Sequence, residues 1–489
     1  MKSKKLALKI ISLFLTLLYI FPANAIATSS YISKWPYYDK PVDAKAALVM
    51  DADSSKVLYS LNPDTKLYPA SLAKIMTAII VLDKVDGNYD DLVTFSYNSV
   101  TRDIDKNSVT IGASAGDQLS IKDCLYSLLL PSANDAANAL AEHIAGSIND
   151  FALLMNEKAD NLGLKNTHFV NPSGLHDDNQ YTTASDMAKI LQYALTYPIF
   201  SQISSSVSYR HAPIRKYKNP DNSNNQVLNT TGILVPGSGY YYNGVTAGKT
   251  GHTSNAGYNL VASARKNNMN LICVVLGCNK DRTRYQEAKS LFDFHFNNYK
   301  SLSIKDTDPR FSESISTITI DDVNIIDSLN ITCDEKWHIT LPSNADVNKV
   351  TSKISFQVDD IYNKYAIGSI SYYYEDEFIG KCTLEGRNLE AVESIYTNHL
   401  NLSSPLNDDT DDERTSNNTV NSNANNNNAL IYRNSSGNLV ISKTLITVIV
   451  VILVSLILVF IVIFIYINII NNDNISFNKM KFRLKRRFR

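Results

Sequence analysis

Tyr68-Pro69-Ala70-Ser71-Leu72-Ala73-Lys74-Ile75-Met76-Thr77 is the stretch on which the reading of this 489-residue chain turns. A proline precedes Ser71, and apolar residues then recur at Ile75, Met76, Ile79, Ile80 and Leu82 with helical spacing. Gly87 follows as a helix stop. The spacing predicts that Ser71 sits in the first turn of a helix that buries one face, with Lys74 one turn on and on the same side. A serine beside an amine is a nucleophile beside a base. The helix N-terminus adds free N–H groups and a positive dipole end where an oxyanion would form. The same S-x-x-K pattern recurs at Ser263–Lys266 and Ser476–Lys479, so the other motifs of the chain have to decide which copy is chemical.

Outward from that stretch, the two ends of the chain are membrane-directed. Lys2, Lys4, Lys5 and Lys9 precede an apolar run over 10–20, followed by Phe21-Pro22-Ala23-Asn24-Ala25, the pattern of a secretory signal (1–25) cut after Ala25. Residues 445–470 are almost uninterruptedly apolar and carry no charge, enough for one transmembrane helix. Seven Lys and Arg follow in the tail 471–489, which places the C-terminus in the cytoplasm and the body of the protein outside the cell. With the basic residues of both ends set aside, 36 Lys and Arg face 48 Asp and Glu, and an acidic body argues against a nucleic-acid partner. The five cysteines have no repeated spacing and no C-x-x-C, so free thiols are expected. Their spacing supports no metal site, and no cofactor is called for.

Between the ends the chain alternates texture. Residues 46–51 and 57–60 read as two strands around a polar turn. Helices are expected over the alanine-rich run to 145, over 151–162, and after Thr183-Ala184-Ser185-Asp186, which has the form of a capping box. Strands at 258–264 and 269–277 and a helix over 284–298 close the unit. The fold class expected is therefore α+β: one antiparallel sheet assembled from distant segments and flanked by helices, over 33–300. From 303 to 395 short strand-like runs predict a small β-rich domain, a sandwich on the plain reading. Residues 401–440 are low in complexity, with acidic and asparagine-rich runs, and read as a disordered tether.

Three elements fall in order: Ser71-x-x-Lys74, Ser132-x-Asn134 and Lys249-Thr250-Gly251, the last of which occurs once. The ordered triple is the signature of penicillin-recognising serine enzymes. The first is expected at a helix start, the second on a loop between helices, the third leading a strand. The surrounding segments Asn166-Thr-His-Phe-Val-Asn-Pro-Ser-Gly-Leu175, Tyr181-Thr-Thr-Ala184 and Lys249-Thr-Gly-His-Thr-Ser-Asn-Ala-Gly-Tyr-Asn-Leu260 resemble the low-molecular-mass penicillin-binding proteins. Among these the match is to serine-type D-alanyl-D-alanine carboxypeptidases, strong over 46–300 and weaker to 392.

The resemblance implies a β-lactamase-like fold and a hydrolase that removes the terminal D-Ala from peptidoglycan stem peptides, with β-lactam antibiotics as covalent inhibitors. Ser71 would be the nucleophile and Lys74 its base, kept neutral by a dry site and the second cation Lys249. By resemblance Ser132 relays a proton to the leaving amine, and Asn134 holds the substrate amide. Lys249 and Thr250 bind the terminal carboxylate with Arg284 as helper, and Gly251 and His252 complete the substrate-binding strand. The backbone N–H groups of Ser71 and His252 would form the oxyanion hole. A β-lactamase is the weaker enzymatic reading. The non-enzymatic alternative is a penicillin- or wall-binding ectodomain without turnover. The family often ends in an amphipathic helix on the membrane, whereas this chain ends in a charge-free span.

Overall fold

The computed structural model describes residues 35–102, 104, 108–215, 225–308, 336–355 and 366–386, with short strand pairs at 319–320 with 323–324 and at 431–433 with 439–441, and a further strand at 331–332. It divides into two units, 1–407 and 408–489. In the second, the described residues are the antiparallel pair Ile431–Arg433 and Leu439–Ile441. The expected signal, span and basic tail lie outside the described residues, as does most of the tether. Among the described residues no helix is long and apolar enough to cross a membrane.

The first unit is built on a five-stranded antiparallel sheet. Its strands are β1 (Ala46–Asp51), β2 (Val57–Leu61), β3 (Val245–Thr253), β4 (Gly257–Lys266) and β5 (Met269–Cys278), in the order β2-β1-β5-β4-β3. Both faces are covered, which explains why β1 and β5 are runs of apolar residues and not alternating ones. On β5, Ile272, Val274 and Leu276 enter the larger core, while Leu271, Cys273 and Val275 enter the smaller core on the opposite face. That smaller core is closed by the helix Asp281–Asn298, which contributes Tyr285, Ala288, Leu291 and Phe292.

The larger core is formed with α1 (Ala73–Val85), α2 (Ile121–Leu129), α3 (Asn134–Ala145), α4 (Ile148–Asn161), α5 (Ala184–Ala194) and α6 (Pro198–Ser205); the helix Asp281–Asn298 is α7. α1 departs from the one-faced helix that its spacing predicts, because every residue from Ala73 to Leu82 is buried. The reason is compositional: apart from Lys74, the positions among its large apolar residues up to Leu82 are Ala73, Thr77, Ala78 and Val81, so no polar face exists to turn to water. α1 ends where Asp86 and Gly87 both take left-handed conformations. Of the expected capping box the N-cap half forms, with the Thr183 hydroxyl accepting from the Asp186 N–H at the start of α5, while the Asp186 carboxylate accepts from the Asn166 N–H and the Thr167 hydroxyl.

Beyond α7 the chain is β-rich. β6 (Tyr299–Ser303) pairs with β7 (His338–Pro342), and β8 (Thr351–Ser355), β9 (Ala366–Tyr374) and β10 (Glu377–Gly386) form a sheet completed by residues 331–332. Ile304, Ile339, Leu341, Ile370, Ile379 and Leu384 make its core. Cys124, Cys273 and Cys278 are buried free thiols and Cys382 is buried; Cys333 lies outside the described residues.

Candidate active site

Ser71 occupies a single 3₁₀ turn, Ala70–Leu72, that runs directly into α1. The turn is strained and tightly clasped. Ala70 has a φ of 49°, a left-handed conformation unusual for a residue with a side chain. Two glycines let backbone close on it from either side. A Cβ on Gly174 would fall 1.9 Å from the Ala70 carbonyl oxygen, and one on Gly251 would fall 2.7 Å from that of Pro69. The Asn259 amide completes the clasp by donating to the Tyr68 and Pro69 carbonyls at 2.9 and 3.2 Å.

Lys74, one turn later, is wholly buried. Its Nζ donates to Asn134 Oδ1 at 2.8 Å and to the Ser173 carbonyl, and lies 3.2 Å from Ser71 Oγ. A neutral amine has two N–H groups and one lone pair. With the two N–H groups committed to Asn134 and Ser173, the lone pair is left for the Ser71 hydroxyl. Burial drives the Lys74 pKa well below the usual lysine value, and the Lys249 charge lowers it further, against an opposing pull from Asp135. Burial and the second lysine thus both favour the uncharged amine.

The Ser132-x-Asn134 element is the turn between α2 and α3. Ser132 is buried with a φ of 74°, and its Oγ has no hydrogen-bond partner among the described residues. A strained residue with an uncommitted hydroxyl on the cavity wall suits a proton relay. Lys249-Thr250-Gly251 lies in the middle of β3, not at its start as the motif reading had it. There Gly251 meets the Ser71 turn at contact distance. β3 is the edge strand of the sheet, the position at which an extended peptide can be added. Lys249 is fully buried, and burial together with the Arg284 charge pushes its pKa down to about 7. His252 stacks on Tyr258 with ring centroids 4.1 Å apart, and burial lowers its pKa.

These elements surround a cavity of about 480 Å³. Ser71, Ser132, Asn134 and His252 line it with Ser108, Val109, Leu175 and His176, while Lys249 and Thr250 are buried outside its wall. Arg284 stands behind β3: its Nη1 donates to the Gly251 and Asn259 carbonyls at 3.2 and 3.1 Å, and Nη2 reaches Asp281. The second S-x-x-K is structural, since Ser263 is buried in β4 and bonds Thr246 at 2.7 Å; the third lies outside the described residues. Several contributors carry no motif of their own. Ser173, Gly174 and Asn259 fall within family-like segments, but they act through backbone contacts that residue types do not announce.

A serine on the cavity wall paired with a buried lysine at a helix start, beside an edge strand of an antiparallel sheet, defines a penicillin-recognising serine-hydrolase fold. The family model described as D-alanyl-D-alanine carboxypeptidase, peptidase family S11, matches residues 34–280. The D-alanyl-D-alanine carboxypeptidase DacF of Bacillus subtilis is 33% identical over 264 residues, covering 53% of this chain and 64% of the relative. DacC of Escherichia coli is 35% identical over 293 residues, covering 58% and 68%. The chain thus spans about two thirds of these relatives' length. Among solved structures, penicillin binding protein 5 from Haemophilus influenzae superposes with a TM-score of 0.56 at 28% identity, over 72% of this chain and 99% of that one. Penicillin binding protein 6B from Escherichia coli gives 0.54 at 26%, over 71% and 96%. The chain belongs to the D-alanyl-D-alanine carboxypeptidase family of serine peptidases.

Proposed function

We propose that the protein is a serine-type D-Ala-D-Ala carboxypeptidase acting on peptidoglycan stem peptides and acylated by penicillins at Ser71. The observation that carries this reading is the Lys74 amine, buried beside a second cation and hydrogen-bonded so that its lone pair is left for Ser71 Oγ. A peptide laid along the β3 edge puts its terminal carboxylate toward Thr250 and the cation Lys249. Ser71 Oγ adds to the carbonyl of the penultimate D-Ala and its proton passes to Lys74. The backbone N–H groups of Ser71 and His252 take the oxyanion. The C–N bond then breaks, and the departing D-Ala amine receives a proton through Ser132. Water hydrolyses the resulting ester to free the enzyme. Arg284 acts at one remove, holding the carbonyls behind Gly251 and depressing the Lys249 pKa.

The signal-like start, the apolar run at 445–470 and the basic end support an exported, membrane-anchored ectodomain with a cytoplasmic tail. External protease applied to intact cells is then expected to cut within 401–440 and release active protein. The enzymatic reading is tested by measuring free D-Ala released from a peptide ending in D-Ala-D-Ala. Release abolished by prior penicillin treatment is expected. Stoichiometric penicillin labelling without any D-Ala release would leave a binding protein only.

A further inference from the structure

α3 begins beside Asn134, and its next residue, Asp135, is 1% exposed. An acid in a first helical turn ordinarily serves its own helix. Asp135 does more than that. Its Oδ1 accepts from the N–H of Ala136 at 3.0 Å and of Ile111 at 3.1 Å, and its Oδ2 from Gly112 and Ala113 at 3.1 and 3.2 Å. Three of the four donors are consecutive amides of a different segment, a nest of N–H groups closed on a carboxylate, with Gly112 in a left-handed conformation to turn them inward. Every partner is a donor, which suits the ionised form. The same segment is tied to Asn134 twice: the Asn134 N–H donates to the Val109 carbonyl at 2.7 Å, and its side-chain amide to Ser108 Oγ at 3.2 Å. Ser108 and the half-exposed Val109 form the cavity wall facing Ser71.

We propose that Asp135 is a positioning residue that hangs the 108–113 wall of the substrate cavity on the Ser132–Asn134 turn, so that substrate-contacting wall and catalytic turn move as one body. The proposal rests on the acyl-enzyme reading of the site. The Asp135 charge also acts on the base. The charges acting on Lys74 are Lys249 from β3 and Asp135 from α3, of opposite sign. Removing the Asp135 charge leaves Lys249 unopposed, so the Lys74 amine stays neutral to lower pH.

The test uses full-length protein carrying Asp135→Asn, in which one oxygen is replaced by a donor facing two N–H groups. Amide hydrogen exchange is expected to show lost protection at Ile111, Gly112 and Ala113 with the remainder of α3 retained, a result independent of catalysis. For release of D-Ala, KM is expected to rise about 10-fold with kcat changing less than 3-fold, and the acidic limb of kcat/KM to move to lower pH. Ser108→Ala, which touches the far end of the same tie and leaves Asp135 in place, is expected to raise KM about 3-fold and to be non-additive with Asp135→Asn. Unchanged protection at 111–113, or a loss of thermal stability with KM and the pH limb unmoved in both variants, would reduce Asp135 to a helix cap and overturn the proposal. Absence of D-Ala release from the wild type, with protection lost in Asp135→Asn, would instead fault the substrate and leave the positioning in place.

Discussion

Lys74 and Asp51 are both sealed from water within the same unit, one under the catalytic cavity and the other where β7 meets the end of β1. Asp51 is surrounded by donors. Its Oδ1 accepts from the N–H groups of Asp53 and Ser54 at 2.9 and 3.2 Å, and its Oδ2 from the Thr340 hydroxyl at 2.8 Å, itself joined to Ser54 Oγ at 2.5 Å. Burial raises its pKa, and each of these bonds works against that rise. Lys74 has two neutral acceptors, no carboxylate bonded to it, and a second lysine whose charge opposes its own. Both groups cost desolvation. At Asp51 the surroundings compensate the charge, and the outcome is a joint between the catalytic unit and the β-rich region. At Lys74 burial and the second lysine disfavour the charge, the condition that the proposed role as a base requires.

The largest separation between the two is expected from Lys74→Met. D-Ala release should fall by about 10³-fold or more, the scale of losing a member of a catalytic unit. Thermal stability should rise at the same time. A lysine whose pKa is lowered on folding binds its proton better unfolded, so its cost grows as pH falls below the unfolded value and is relieved as pH rises. The stabilisation by Met should accordingly be greater at pH 6 than at pH 9 when melting is followed by circular dichroism. Asp51→Asn should show the reverse pattern, with penicillin acylation within about 2-fold of wild type and unfolding in urea easier by about 1–3 kcal/mol, since one donor-to-acceptor match is broken. Equal losses of activity in both variants would erase the distinction.

A smaller effect sharpens the joint. Asp53 is pushed up to about 6, by burial first and by the Asp51 charge second. An acid whose pKa is raised on folding holds its proton better folded, so its stabilising contribution is complete below about pH 4 and lost as pH rises through 6. Relative to wild type, Asp53→Asn should therefore gain about 1–2 kcal/mol between pH 4 and pH 7 in chemical denaturation. A constant difference across that range would show that Asp53 titrates alike in both states.

The contrast also separates what residue types reveal from what they hide. β1 was legible to the residue because its apolar run is bounded by Asp51 and a polar turn, and β5 because a run of ten largely apolar residues fits a strand covered on both faces. Ser71 and Lys74 were legible because three residues of helix bring them together, and Asn134 because its motif marks it. The carbonyl of Ser173, the bare backbone of Gly174 and the amide of Asn259 were not. Each acts where segments about a hundred residues or more apart in sequence meet, and a carbonyl looks the same whichever side chain it carries. Asp135 was hidden differently, as an ordinary first-turn acid whose partners lie more than twenty residues upstream. Arg284 was expected beside the carboxylate site and is found bonded to carbonyls behind it, because a buried guanidinium in α7 has the Gly251 and Asn259 oxygens within reach.

The account rests on Lys74 acting as a base and not as a fixed charge. The most direct measurement is the rate and position of penicillin adduct formation, by mass spectrometry of the intact protein and its peptides, in wild type and in Lys74→Arg. Arginine keeps the charge and cannot give up its proton. A single adduct on the Ser71 peptide is predicted in wild type, with its rate rising as pH increases through the acidic limb, and the Arg variant should label at least about 10³-fold more slowly. Near-wild-type labelling of Lys74→Arg, or an adduct on any other serine, would contradict it.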